Sequence, residues 1–170
     1  MAKLKGVWTL EKKMTKIFHT YVPNSDDVKL KLSTDFCYMP TRNIICFPLV
    51  ISNRSDRLFA KFIQEEYEFL VDDVFVLSLL HEFGHYLTLD EIDDEEYNYS
   101  KDLEDSINNR LEEDEDNDDV YSEYFYLPIE KIATDTGIAI FFENTLEMYD
   151  MYVEMGKAIQ EFYKRNKVTE

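Results

Sequence analysis

Residues 74–87 read Val-Phe-Val-Leu-Ser-Leu-Leu-His-Glu-Phe-Gly-His-Tyr-Leu, and no other stretch limits the fold of this chain as tightly. A helix drawn through them is apolar nearly all round, so it has to be a buried central helix rather than a surface one. The same stretch carries His81, Glu82 and His85. Positions i and i+4 of a helix lie on one face, so both imidazoles can reach one ion while Glu82 flanks it. Such a pattern is informative only in a helical context with a third ligand. Two imidazoles alone bind a metal weakly and leave its geometry unset.

The flanking sequence supplies the helical context. Residues 55–70 carry an amphipathic stripe of Leu58, Phe59, Phe62, Ile63 and Phe69-Leu70, and Asp72 and Asp73 can cap the helix that follows. Upstream, Leu10, Met14, Ile17, Phe18 and Tyr21 are spaced for a helix over 9–22, with Thr9 as N-cap and Pro23 closing it. His19 lies off that stripe and reads as structural. Strands follow at 28–32, where apolar and basic residues alternate, and at 36–39. Residues 43–52 form a β-branched run whose Pro48 cannot donate to a ladder, which predicts an edge strand. Pro128 opens a helix through Ile132, Ile138 and Phe141, and a last helix spans about 145–165. The fold class expected is α+β: several helices on a small three-stranded sheet, in a single domain of 170 residues.

The charge is uneven. Between Asp90 and Asp119 sixteen acids stand against Lys101 and Arg110, so fourteen of the eighteen net negative charges lie there. This stretch reads as a solvated acidic insertion, with a surface helix over about 100–113 and 112–119 in water. The sharper alternatives are a docking surface for a basic partner or a sponge for divalent cations. Direct nucleic-acid binding is disfavoured, because a phosphate backbone needs a basic surface. No apolar run is long enough to cross a bilayer, and the N-terminus lacks the apolar core of a secretory signal, so a cytoplasmic protein is expected. Cys37 and Cys46 make no disulfide framework. They can face each other across a hairpin, but buried free thiols are the expectation.

His19 is the only other histidine, so the third ligand falls to a carboxylate. Glu130, in the first turn of the helix opened by Pro128, is the best placed. It shares a face with Ala133, Thr134, Gly137 and Phe141, small residues there allow close packing on the motif helix, and Gly84 offers the matching approach. Thr134 can hydrogen-bond a ligating histidine. Asp135 is about 140° round the helix from Glu130 and points elsewhere.

His81-Glu82-Phe83-Gly84-His85 with the downstream Glu130-x-x-Ala133 resembles the gluzincin metallopeptidases, in particular the small intracellular ImmA/IrrE-type members of bacteria and phages. The resemblance implies a minimal zincin-like domain with an edge strand beside its active-site cleft. It also implies Zn²⁺ on His81, His85 and Glu130, Glu82 as general base, and a peptide or protein substrate, here a basic one if the acidic stretch recruits it. A different zincin class takes Asp as third ligand, and Ala-Thr-Asp135-Thr-Gly is faintly similar to its pattern. The donor for the oxyanion is left among Tyr124, Tyr126, Tyr149 and Tyr152. The rival expectation, carried by the charge at 90–119, is an acidic binding or inhibitor protein that mimics DNA or masks a basic partner.

Overall fold

The computed structural model describes residues 6–51, 54–68 and 74–166. It is α+β, with seven α-helices and a three-stranded mixed sheet among the described residues. The chain forms two compact units, one from residues 1–50 with 140–170 and the other from residues 51–139. Among the described residues no helix is long and apolar enough to cross a membrane.

The first unit holds α1 (Val7–Tyr21), β1 (Lys29–Leu32), β2 (Cys37–Met39), β3 (Ile44–Phe47) and α7 (Thr145–Asn166). Leu10, Met14, Ile17 and Phe18 bury the expected stripe of α1, and Met148, Met151, Met155, Ala158 and Phe162 that of α7, which packs on α1. The helix starts two residues before Thr9, because Gly6 takes a left-handed φ of 82° and serves as N-cap. His19 is structural, as its Nε2 lies 2.7 Å from the Val28 carbonyl oxygen at the start of β1.

The sheet order is β1-β3-β2, with β1 parallel and β2 antiparallel to β3. The expected edge strand is therefore the central one. Pro48 falls one residue beyond β3, so its missing N–H takes nothing from the ladder, and Ile45, Cys46 and Phe47 are all buried. The true edges are β1 and β2, and β1 is closed to an added strand. The Leu30 N–H donates to Thr15 Oγ1 at 2.9 Å and the Leu32 N–H to Glu11 Oε1 at 3.1 Å, both from α1. Cys37 and Cys46 are register partners across β2 and β3 and are not joined by a disulfide. Cys46 is buried as expected, but Cys37 is exposed.

The second unit holds α2 (Arg54–Tyr67), α3 (Val74–Thr88), α4 (Asp94–Glu113), α5 (Asp118–Ser122) and most of α6 (Pro128–Glu143). Leu58, Phe59, Phe62 and Ile63 of α2 are buried; Phe69-Leu70 and the Asp72 and Asp73 caps lie outside the described residues. On α3, nine residues are buried, among them Phe75, Leu79, Leu80, Phe83 and Gly84, as an all-round apolar helix requires.

The acidic stretch is more ordered than its composition implies. Asp93 caps α4 by accepting from the Glu96 N–H at 2.8 Å, and Asp94, Glu95 and Glu96 fill the first turn, where the helix dipole favours negative charge. The helix therefore begins at Asp94 rather than near residue 100. It buries only Ser100 and Ile107, and residues 112–116 are exposed as expected. Arg54 then holds the next turn by reaching Asp118 Oδ1 at 2.6 Å and the Glu115 carbonyl, with its guanidinium 5.2 Å from the centre of the Tyr121 ring.

Candidate metal centre

Helices α3 and α6 touch at two glycines. A Cβ added to Gly84 would stand 2.1 Å from the Ala133 carbonyl oxygen, and one added to Gly137 would stand 2.7 Å from the Leu80 oxygen and 3.0 Å from the His81 nitrogen. No side chain fits at either point. We expect Gly84→Ala to destabilise the fold by about 3 kcal/mol, the upper end for overpacking. Urea unfolding measures this, and an unchanged midpoint would contradict the helix contact.

This contact sets the site. His81 and His85, one turn apart on α3, place their ring centres 4.7 Å apart and nearly perpendicular. Glu130, in the first turn of α6, turns one carboxylate oxygen to both: Oε2 lies 3.1 Å from His81 Nε2 and 3.3 Å from His85 Nε2. All three side chains are largely buried, and their ligand atoms lie within 4.8 Å of one another, a group that can hold a metal ion. Phe59 closes one side, its ring centre 5.3 Å from that of His81.

Hydrogen bonding sets which nitrogen of His81 carries the proton. The Thr134 hydroxyl donates its single hydrogen to the Glu130 carbonyl at 2.8 Å, one turn back on α6. Its oxygen can then only accept from His81 Nδ1, 2.9 Å away, so Nδ1 carries a hydrogen and Nε2 is the nitrogen turned to Glu130. At 3.1 Å this nitrogen and the carboxylate oxygen attract only with a cation, a proton or a metal ion, between them.

The electrostatics say the same. Burial by itself would raise Glu130, but its hydrogen bonds to His81 and His85 and their charge outweigh burial and hold the carboxyl well below its usual range. Burial would lower His85, and the Glu130 hydrogen bond with the charges of Glu130 and Glu82 raises it instead. Glu82 is half-buried, one residue from His81 and outside the ligand group, yet close enough for its charge to act on His85 and on Tyr124.

Of the residues singled out from sequence, His81, His85, Glu130 and Thr134 are brought together. Asp135 is not: it points away and holds Lys131 Nζ at 2.7 Å and the Tyr67 hydroxyl at 2.5 Å. Of the four tyrosines, Tyr126 is exposed and donates to Glu66 Oε1 at 2.8 Å, while Tyr149 and Tyr152 are exposed on α7. Tyr124 alone among the four bonds a residue of the group, its hydroxyl donating to Glu130 Oε1 at 3.0 Å. Burial, and next the charge of Glu130, push that hydroxyl far above its usual range, so it stays a donor. Residues that sequence reasoning passed over are Phe59 against His81 and Ser100, whose buried hydroxyl accepts the Ile129 N–H at 3.3 Å. A buried serine on an acidic helix leaves no local pattern to find it by. Comparison of the chain with protein-family models, curated proteins and solved structures gave no match.

Proposed function

We propose that the protein is a zinc-dependent peptidase of gluzincin type, with His81, His85 and Glu130 as ligands and Glu82 as general base. The observation that carries this reading is that one oxygen, Glu130 Oε2, lies 3.1 Å from His81 Nε2 and 3.3 Å from His85 Nε2. Zinc with nitrogen and oxygen ligands at about 2.0–2.1 Å sets tetrahedral ligand atoms about 3.3 Å apart. The two separations fit that edge, and two imidazoles with one carboxylate leave the fourth position for substrate or water.

When bound, zinc supplies a Lewis acid and lowers the pKa of bound water toward about 7. The rest falls to the chain. Thr134 holds His81 in the tautomer with Nε2 free, and buried Phe59 keeps solvent from one side of the ring. The Glu82 carboxylate takes the proton of the attacking water and delivers it to the leaving amine nitrogen. Thr134→Val keeps the shape and removes the acceptor for His81 Nδ1–H. Zinc affinity, read by competition with a chromophoric chelator, is expected to fall by about 10–100-fold.

The acids of α4 support a preference for basic substrates. Glu104 on that helix is close enough for its charge to act on Tyr124, which bonds Glu130. The test is an unfolded protein rich in lysine, offered to the zinc-loaded protein beside an acidic one. Cleavage of the basic substrate, stopped by a chelator and restored by zinc, is expected. Zinc bound with neither substrate cleaved would overturn the peptidase reading and favour a binding protein.

A further inference from the structure

We propose that Tyr124 is a positioning residue that sets how Glu130 meets the metal; the inference rests on the metal site proposed above. The two oxygens of Glu130 have different partners. Oε2 faces both imidazoles, while Oε1 accepts the Tyr124 hydroxyl at 3.0 Å. A hydroxyl on Oε1 fixes rotation of the carboxylate about its last bond and withholds that oxygen from the ion. Glu130 then binds through one oxygen, and the remaining position stays open for chemistry.

The brace and the ligand come from one short segment. Tyr124 lies in the 3-10 turn Glu123–Tyr126, whose Tyr124 carbonyl accepts the Leu127 N–H at 3.1 Å, and the Leu127 carbonyl accepts the Lys131 N–H at 2.8 Å. Tyr124 and Glu130 thus stand on either side of Pro128 in a continuous hydrogen-bonded run. Helix α4 pins that run at two points. Ser100, 2 % exposed, accepts the Ile129 N–H, one of the amides that a helix start leaves without an internal partner. Arg110 grips both carboxylate oxygens of Glu123, next to Tyr124, at 2.9 and 2.5 Å. The acidic helix is therefore part of the frame that aims the ligand.

The geometry also decides against Tyr124 as the oxyanion donor. Its single hydrogen is already on Glu130, and giving it to a substrate oxygen would leave a buried carboxylate oxygen unpaired.

Tyr124→Phe removes only the hydroxyl. Zinc affinity by chelator competition is expected to drop about 10–100-fold. With cobalt in place of zinc, the visible absorption is expected to shift as Glu130 moves from one-oxygen toward two-oxygen binding, a readout that a merely structural role would leave unmoved. Wild-type affinity and an unshifted cobalt spectrum in Tyr124→Phe would overturn the brace and leave the metal site standing. No zinc bound by the wild-type protein would overturn both.

Discussion

Glu82→Gln is expected to leave zinc in place and to cut peptide hydrolysis by about 10²–10⁴-fold, the usual worth of a positioned general base. Glu82 is outside the group of ligand atoms formed by His81, His85 and Glu130, so an amide in its place should cost the metal little. It nevertheless stands one residue from His81 on the same buried helix, near enough for its charge to act on His85 and Tyr124. A glutamine keeps the size and loses the capacity to accept a proton. Turnover on a fluorogenic peptide, with zinc content measured on the same sample, separates the two effects. Hydrolysis undiminished in Glu82→Gln would remove the general base from the mechanism, and zinc lost along with activity would assign Glu82 to the metal instead.

Glu130→Ala is expected to do the reverse and abolish the metal site itself. Free zinc at 100 times the wild-type dissociation constant stabilises the fold by about 2.7 kcal/mol, roughly 5–10 °C in melting temperature for a chain of this size. Without Glu130 the two imidazoles, their ring centres 4.7 Å apart, have no third ligand in the group among the described residues, and the rise on adding zinc is expected to vanish. The metal-free variant should fold, because removing the carboxylate also relieves a buried charge, although the Tyr124 hydroxyl loses its acceptor. A full zinc-dependent rise in Glu130→Ala would place the metal elsewhere.

These two residues were legible in the sequence because helical periodicity ties position to direction. An apolar helix with histidines four apart, and a second helix with Glu130, Thr134 and Gly137 on one face, carry their geometry in their spacing. The close approach that Gly84 and Gly137 require, and the bond from His81 to Thr134, follow from that register. Strands gave less away. Pro48 pointed to an edge, but it lies just past β3, and which strand is central depends on pairings between residues far apart in sequence. Charge misled in a similar way. Sixteen acids in thirty residues suggest a solvated insertion with a surface helix only from about residue 100, yet an aspartate cap and a first turn of acids are what a helix N-terminus favours. Ser100 and Arg110 have their importance only through what they hold, the Ile129 amide and Glu123. Tyr124 was one of twelve tyrosines until its partner was known.

Metal analysis of the untagged 170-residue chain, dialysed without chelator after zinc loading, tests whether two histidines of α3 and Glu130 of α6 hold one zinc ion. One zinc per chain in the wild-type protein, falling to none in Glu130→Ala, is the expected result. A wild-type protein that retains no zinc, and whose melting temperature does not rise when zinc is added, would contradict the claim.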